Sequence, residues 1–212
     1  MKMTDVQIWA DVRCPWCWIG HRRLERAARG IGEDVVMHHR SFLLDPDGPP
    51  DHRQPLPDIA TSEWGMKPEE WASLSRRIRE AGQEVGLDIS IDTASRTDSR
   101  AIHRVLKSAQ ERGLDANGAW ERAFDAHLHD NLDVSDPDVL QKLGVSMGLS
   151  ATEVHAAIAS EHLADTVRDD HREALDRGFP SVPTFLIGDR SLSGSASVEE
   201  LTSFLQHARV PQ

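Results

Sequence analysis

Two cysteines stand three residues apart in Cys14-Pro15-Trp16-Cys17, and the 212-residue chain holds no others. A disulfide scaffold needs cysteines spread along the sequence, so a lone C-x-x-C pair points to dithiol redox chemistry or to half of a metal site. A thiol attacks a disulfide only as its thiolate. At the first turn of a helix, unpaired backbone N–H groups and the positive end of the helix dipole favour that form. Pro15 suits such a turn, because it has no N–H to leave unpaired and its φ is already near the helical value. Cys14 is therefore the expected nucleophile. Cys17, one turn further on, returns to the same side and is the expected resolving thiol for a mixed disulfide on Cys14.

Trp16 cannot join the reaction, and it is expected to cover the thiols or to meet an apolar partner surface. Asp11, three residues before Cys14, is a candidate acceptor for the Cys17 proton, with helix capping or plain solvation as its alternatives. Zinc needs a second ligand pair. His38-His39, His103 and His127-Leu128-His129 can be nominated, but the 11 histidines are scattered and no second C-x-x-C exists. Redox chemistry is the stronger reading, with no metal expected, and most histidines are expected to be surface or ordinary polar-contact residues.

The elements around the motif fit that reading. Val6, Ile8, Ala10 and Val12 alternate with polar residues and with Trp9, which predicts a strand over 5–12. Trp18, Ile19, Leu24, Ala27 and Ala28 recur at helical spacing until Gly30 and Gly32, so the cysteines fall where a strand turns into a helix. Val35 to Leu44 predicts a second strand, which completes a right-handed βαβ unit with a parallel strand pair. Residues 45–60 carry six prolines or nearby breakers, among them Pro46, Pro49, Pro50, Pro55 and Pro57, and read as a loop. Helices are expected over Pro68–Val85, Thr97–Arg112, Ala116–Asp130, Pro137–Met147, Thr152–Ser160 and Asp165–Arg177. Leu87, Ile89 and Ile91 alternate in a segment that reads as a short extended piece or a loop. Thr184 to Ile187 and Arg190 to Ser193 flank a Gly188-Asp189 turn as a hairpin. A last helix runs from the Ser197 cap, with Glu200 three residues on, to about Ala208.

The strands therefore lie at the two ends of the chain and the middle is helical. That pattern predicts one α/β core formed by residues 1–60 and 165–212, with 61–164 as a helical insertion. A formal net charge of −11 argues against nucleic acid or an anionic membrane as partner. No apolar tract is long enough to cross a membrane. The start of the sequence lacks the apolar region of a secretory leader, so a cytoplasmic location is expected.

Cys14-Pro15-Trp16-Cys17-Trp18-Ile19-Gly20 after a strand, with Ser181-Val182-Pro183-Thr184-Phe185 far downstream, resembles the DsbA-like thioredoxin superfamily, and within it the FrnE-like proteins. Phe42-Leu43-Leu44-Asp45-Pro46, Ala101-Ile102-His103-Arg104 and Ser193-Gly194-Ser195 resemble that group's other recurring segments, so the likeness covers nearly the whole chain. It implies a thioredoxin fold with an inserted α-helical domain, and a thiol-disulfide oxidoreductase acting as reductase, isomerase or oxidase. It also implies a cis Pro183 that keeps metal from the dithiol and brings Val182 beside the cysteines. The Val182 backbone would then receive an extended peptide or disulfide substrate. No cofactor is implied beyond the Cys14–Cys17 disulfide. The implied partners are a disulfide-containing protein or small molecule and a thiol reductant such as glutathione, with monomer and homodimer both open. Kappa-class glutathione transferases and 2-hydroxychromene-2-carboxylate isomerases, which act on small hydrophobic molecules, share the insertion and form the alternative. Their usual serine at the active position differs from Cys14.

Overall fold

The computed structural model describes residues 3–32 and 34–207. The first strand, β1 (Met3–Ala10), runs into α1 (Pro15–Ile31), and β2 (Asp34–Ser41) returns parallel to β1 with Met3 opposite Asp34 and Ala10 opposite Ser41. Near the other end, β3 (Thr184–Ile187) lies antiparallel to β1, and β4 (Arg190–Ser193) closes the hairpin, giving the order β2-β1-β3-β4. Between the strand pairs run α2 (Leu56–Ser62), α3 (Pro68–Glu84), α4 (Arg100–Glu111), α5 (Ala116–Leu128), α6 (Pro137–Ser146), α7 (Ala151–Ala159) and α8 (Glu161–Asp176), and α9 (Val198–His207) follows the hairpin.

β1 is the central strand because both of its faces are apolar. Val6 and Ile8 pack with Leu24 and Ala27 of α1 and with Leu201 and Leu205 of α9. Trp9, on the other face, packs with Ala174 of α8 and donates its indole N–H to the Asp170 carbonyl at 2.9 Å. The helices of the middle share one large core, which reaches the cysteines through Val12, Trp18 and Phe124. Side-chain caps start several of them: Asp115 accepts from Gly118 N, Asp136 from Asp138 N, and Ser150 from Glu153 N. Each such cap is worth about 1 kcal/mol.

Two expectations are corrected. Residues 45–60 are not wholly a loop, because α2 begins at Leu56 with Pro55 as its N-cap residue. Proline breaks a helix interior but is tolerated in the first turn, where Pro55 and Pro57 both fall. The helix expected from Asp165 starts at Glu161, where the Ser160 hydroxyl accepts from Leu163 N while the Ser160 backbone N–H donates to the Ala157 carbonyl and ends α7. Of the two readings of the alternating Leu87, Ile89 and Ile91, the loop is the one found: the three are buried without forming a strand, and Ser90 N donates to the Leu128 carbonyl at 2.8 Å. The expected end of the last helix at Ala208 lies outside the described residues.

Four histidines, His21, His39, His103 and His127, are buried. His39 stacks on Trp120 with ring centroids 5.0 Å apart and donates from Nε2 to Asn117 Oδ1 at 2.9 Å. Burial, followed by the nearby His21, pushes its pKa down to about 3 from an ordinary 6.5. Between those values the unfolded chain binds a proton that the native chain refuses, so stability falls as pH drops, by about 1.4 kcal/mol per pH unit for this group. The urea midpoint should therefore decline from pH 7 to pH 4.5. His39→Phe, which keeps a ring on Trp120, should flatten the decline by about one proton equivalent. An unchanged slope would assign the acid lability to other groups.

Candidate active site

Cys14 is the N-cap residue of α1, with φ −89° and ψ 110°, and Pro15 opens the helix. The turn is wound tightly: Cys14 N donates to the Asp11 carbonyl and Cys17 N to the Cys14 carbonyl, both at 3.0 Å. The strand thus ends and the helix begins within a few residues, which leaves Cys14 at the mouth of a cleft, 8% exposed, and Cys17 behind it, 1% exposed. Burial, and then the Cys14 thiol beside it, push the Cys17 thiol well above its ordinary pKa. The second sulfur therefore stays protonated at neutral pH.

Val182 and Pro183, far away in sequence, come to the same place. Their peptide bond is cis, and the Val182 carbonyl oxygen lies 3.8 Å from Cys14 Sγ. Gly194 N donates to the Pro183 carbonyl at 2.8 Å, and the Thr184 hydroxyl donates to the Ser181 carbonyl at 2.6 Å, which fastens both sides of the turn. Among the described residues, the Val182 N–H makes no backbone hydrogen bond.

Gly20 holds the helix against this turn. A Cβ there would stand 2.9 Å from Pro183 Cγ and 3.1 Å from Phe185 Cζ. Gly20→Val is expected to cost about 1–3 kcal/mol by overpacking and to push Pro183 away from Cys14. Both effects are measurable as a lower urea midpoint and a lower rate of disulfide exchange; a variant equal to the parent in both would show that the contact is slack.

Asp11 is wholly buried beneath the motif. It accepts from Arg13 N at 3.0 Å, Leu44 N at 2.8 Å and the Ser99 hydroxyl at 3.1 Å, and His103 Nε2 faces it at 3.6 Å. Burial opposes ionisation, but the His103 imidazole, the Arg13 guanidinium and the Leu44 N–H outweigh it and hold the carboxyl well below the usual carboxylate range. Its negative charge in turn helps to keep Cys17 protonated.

A model of the DSBA-like thioredoxin domain matches residues 5–206, which takes in the four-stranded mixed sheet, the cysteine pair at the start of α1 and the cis proline opposite it. The chain belongs to that family. This DsbA-like chain is similar in structure to the probable DsbA oxidoreductase SCO1869 of Streptomyces coelicolor, at TM-score 0.91 and 32% identity over 99% of this chain and 92% of that one. It is also similar in fold to the cytosolic disulfide reductase DsbM of Pseudomonas aeruginosa, at TM-score 0.61 and 19% identity over 96% of this chain and 98% of that one. In sequence it is 25% identical over 197 residues to the uncharacterized protein YwbO of Bacillus subtilis (strain 168), covering 91% of each. Its family is one of thiol-disulfide oxidoreductases.

The DsbA-like fold brings Cys14, Pro15, Trp16, Cys17, Val182 and Pro183 to one end of the sheet, with Asp11 directly below. Trp16 is half-buried on the cleft wall, packed against the helical core. Arg13 is a residue that sequence reasoning missed: it pairs with Asp45 at 2.7 Å and donates to the Thr97 carbonyl at 2.9 Å, tying the motif to the helices of the middle. Ser99 and His103 were missed as partners of Asp11. Nothing local signals them. Gly20 did carry a signal, since glycine inside a helix costs about 1 kcal/mol and calls for a packing reason. Among the described residues no group of three or more His, Cys, Asp or Glu side chains stands together as a metal site would require. No helix among them is long and apolar enough to cross a membrane.

Proposed function

We propose that this chain is a FrnE-like protein disulfide oxidoreductase that exchanges disulfides through Cys14 as nucleophile and Cys17 as resolving thiol. The observation that carries the reading is the position of Cys14: its sulfur lies at the cleft mouth, opposite the Val182 carbonyl, with the protonated Cys17 one helical turn behind. In reduction, the Cys14 thiolate attacks one sulfur of the substrate disulfide. The substrate S–S bond breaks, a Cys14 mixed disulfide forms, and the departing thiolate takes up a proton. Cys17 then gives up its proton and attacks Cys14 Sγ, which releases the second substrate thiol and leaves the Cys14–Cys17 disulfide. Two electrons have moved to the substrate, and two molecules of a thiol reductant such as glutathione supply two more to the Cys14–Cys17 disulfide and leave as their own disulfide. Run backwards, the same steps oxidise a dithiol. A cytoplasmic setting, like that of the cytosolic disulfide reductase DsbM, is part of this reading and favours reduction or isomerisation.

In this reading Pro15 and Trp16 shape the motif, and the Val182 N–H and carbonyl pair with an extended substrate strand, as in β-strand addition. Residues 1–60 and 165–212 form the redox core, and the helices of 61–164 shape the substrate side. Asp11 is the carboxylate proposed to meet the Cys17 proton. With its oxygens engaged and its acidity raised, it acts on that proton as a fixed negative charge beneath the motif. The glutathione-transferase or isomerase alternative needs a single activating group at position 14, and the second thiol at position 17 speaks for exchange. Insulin reduction coupled to a thiol donor tests the assignment: turnover above the donor alone is expected, and its absence would overturn the proposal.

A further inference from the structure

Cys14 opens into a cavity of about 200 Å³ walled by Trp16, Leu56, Trp64, Trp71, Leu74 and Ile91. Trp64 stands at the rim, 51% exposed, with its ring tilted against that of Trp71 at a centroid distance of 6.3 Å. Leu44, another exposed large apolar side chain, lines the same cleft. Single exposed apolar residues are ordinary. Two that are continuous with a buried apolar wall and adjoin a reactive sulfur form a landing surface.

The two arginines on the cleft lining are already neutralised. Arg96 forks onto Glu63 at 2.8 and 2.6 Å, and Arg13 is held by Asp45 and the Thr97 carbonyl. A charged occupant would lose its water and find no unpaired cation among the described lining residues, whereas an apolar one loses nothing. Size narrows the choice further. An apolar cavity of about 150 Å³ suffices for a benzene ring, so this one accepts a ring or a pair of fused rings.

We infer that the cleft recognises an uncharged aromatic group attached beside the substrate disulfide, seated against Trp64 and Trp71 while the disulfide meets Cys14 Sγ. This rests on the dithiol reading proposed above. The ring has two sources, an aromatic side chain next to a cystine in a peptide or a small molecule with an arylmethyl disulfide.

The test compares kcat/KM for reduction of matched cystine peptides that carry Phe, Ala or Asp beside the cysteine. A parallel arm compares the mixed disulfide of benzyl mercaptan and cysteine with glutathione disulfide. The Phe peptide is expected to exceed the Ala and Asp peptides by about 10- to 100-fold. In Trp64→Ala that ratio should fall to within about threefold, and Trp71→Leu should act likewise. Leu175→Ala, at an exposed site outside the cleft, should keep the full ratio. Preference in the peptide arm alone identifies the side chain as the source, and preference in the benzyl arm identifies the ring itself; either supports the inference. Equal turnover of all substrates, or a preference that survives both tryptophan changes, overturns it while leaving the dithiol reading in place. No turnover of any disulfide brings down the dithiol reading, and the inference with it.

Discussion

Cys14→Ser is expected to lower insulin reduction by on the order of 10³-fold, to the rate of the thiol donor alone. A hydroxyl at that position has no accessible anion and cannot form the mixed disulfide. Cys17→Ser should behave differently, because Cys14 can still attack but nothing resolves the product. Steady-state turnover should fall as well, while a covalent Cys14–substrate adduct accumulates and can be weighed by mass spectrometry. The asymmetry follows from the 8% and 1% exposures of the two residues and from the raised pKa of the buried thiol. An adduct on Cys17 in the Cys14→Ser variant, or retained activity there, would reverse the two roles.

Asp11→Ala is expected to cost about 3–5 kcal/mol, the range for removing one partner from a buried charged cluster. The loss would strand the N–H groups of Arg13 and Leu44 and the Ser99 hydroxyl, all buried or half-buried, without an acceptor. Because the Asp11 carboxyl is held below its ordinary 3.8, its contribution is complete above that value and is lost as pH falls beneath it. The penalty should therefore be full at pH 7 and shrink in acid. Asp11→Asn keeps the shape but removes the charge that raises the Cys17 thiol, so in a Cys14→Ser background Cys17 should be alkylated at lower pH than in the parent. A penalty below about 1 kcal/mol would match an exposed pair rather than a buried one and would contradict the anchoring role. An unmoved alkylation profile would contradict the electrostatic one.

The parts of the fold that are legible in sequence are those written in local chemistry. Val6, Ile8 and Ala10 mark β1 by alternation, Pro15 marks the helix start, and the Ser197–Glu200 box before α9 closes with both of its hydrogen bonds, 2.7 and 3.1 Å. The short α2 is not legible, because proline is read as a breaker before its place in the first turn is known. The dithiol itself is legible for the same reason as β1: its two residues are three apart. What surrounds it is not. Leu44, Ser99 and His103 meet Asp11 from other segments, and Trp64 and Trp71 meet Cys14 only once α2 and α3 are packed. The approach of Val182 to Cys14 came from resemblance alone, since no spacing encodes a contact between residues so far apart in the chain.

The most direct test of the dithiol mechanism is a redox titration of the purified chain in graded thiol–disulfide buffers, quenched by alkylation and weighed by mass spectrometry. The mechanism predicts that the Cys14 and Cys17 tags disappear together in one two-electron transition, tenfold for about every 30 mV. Two cysteines that stay fully alkylated across the range, or that lose their tags independently to the buffer thiol, would contradict it.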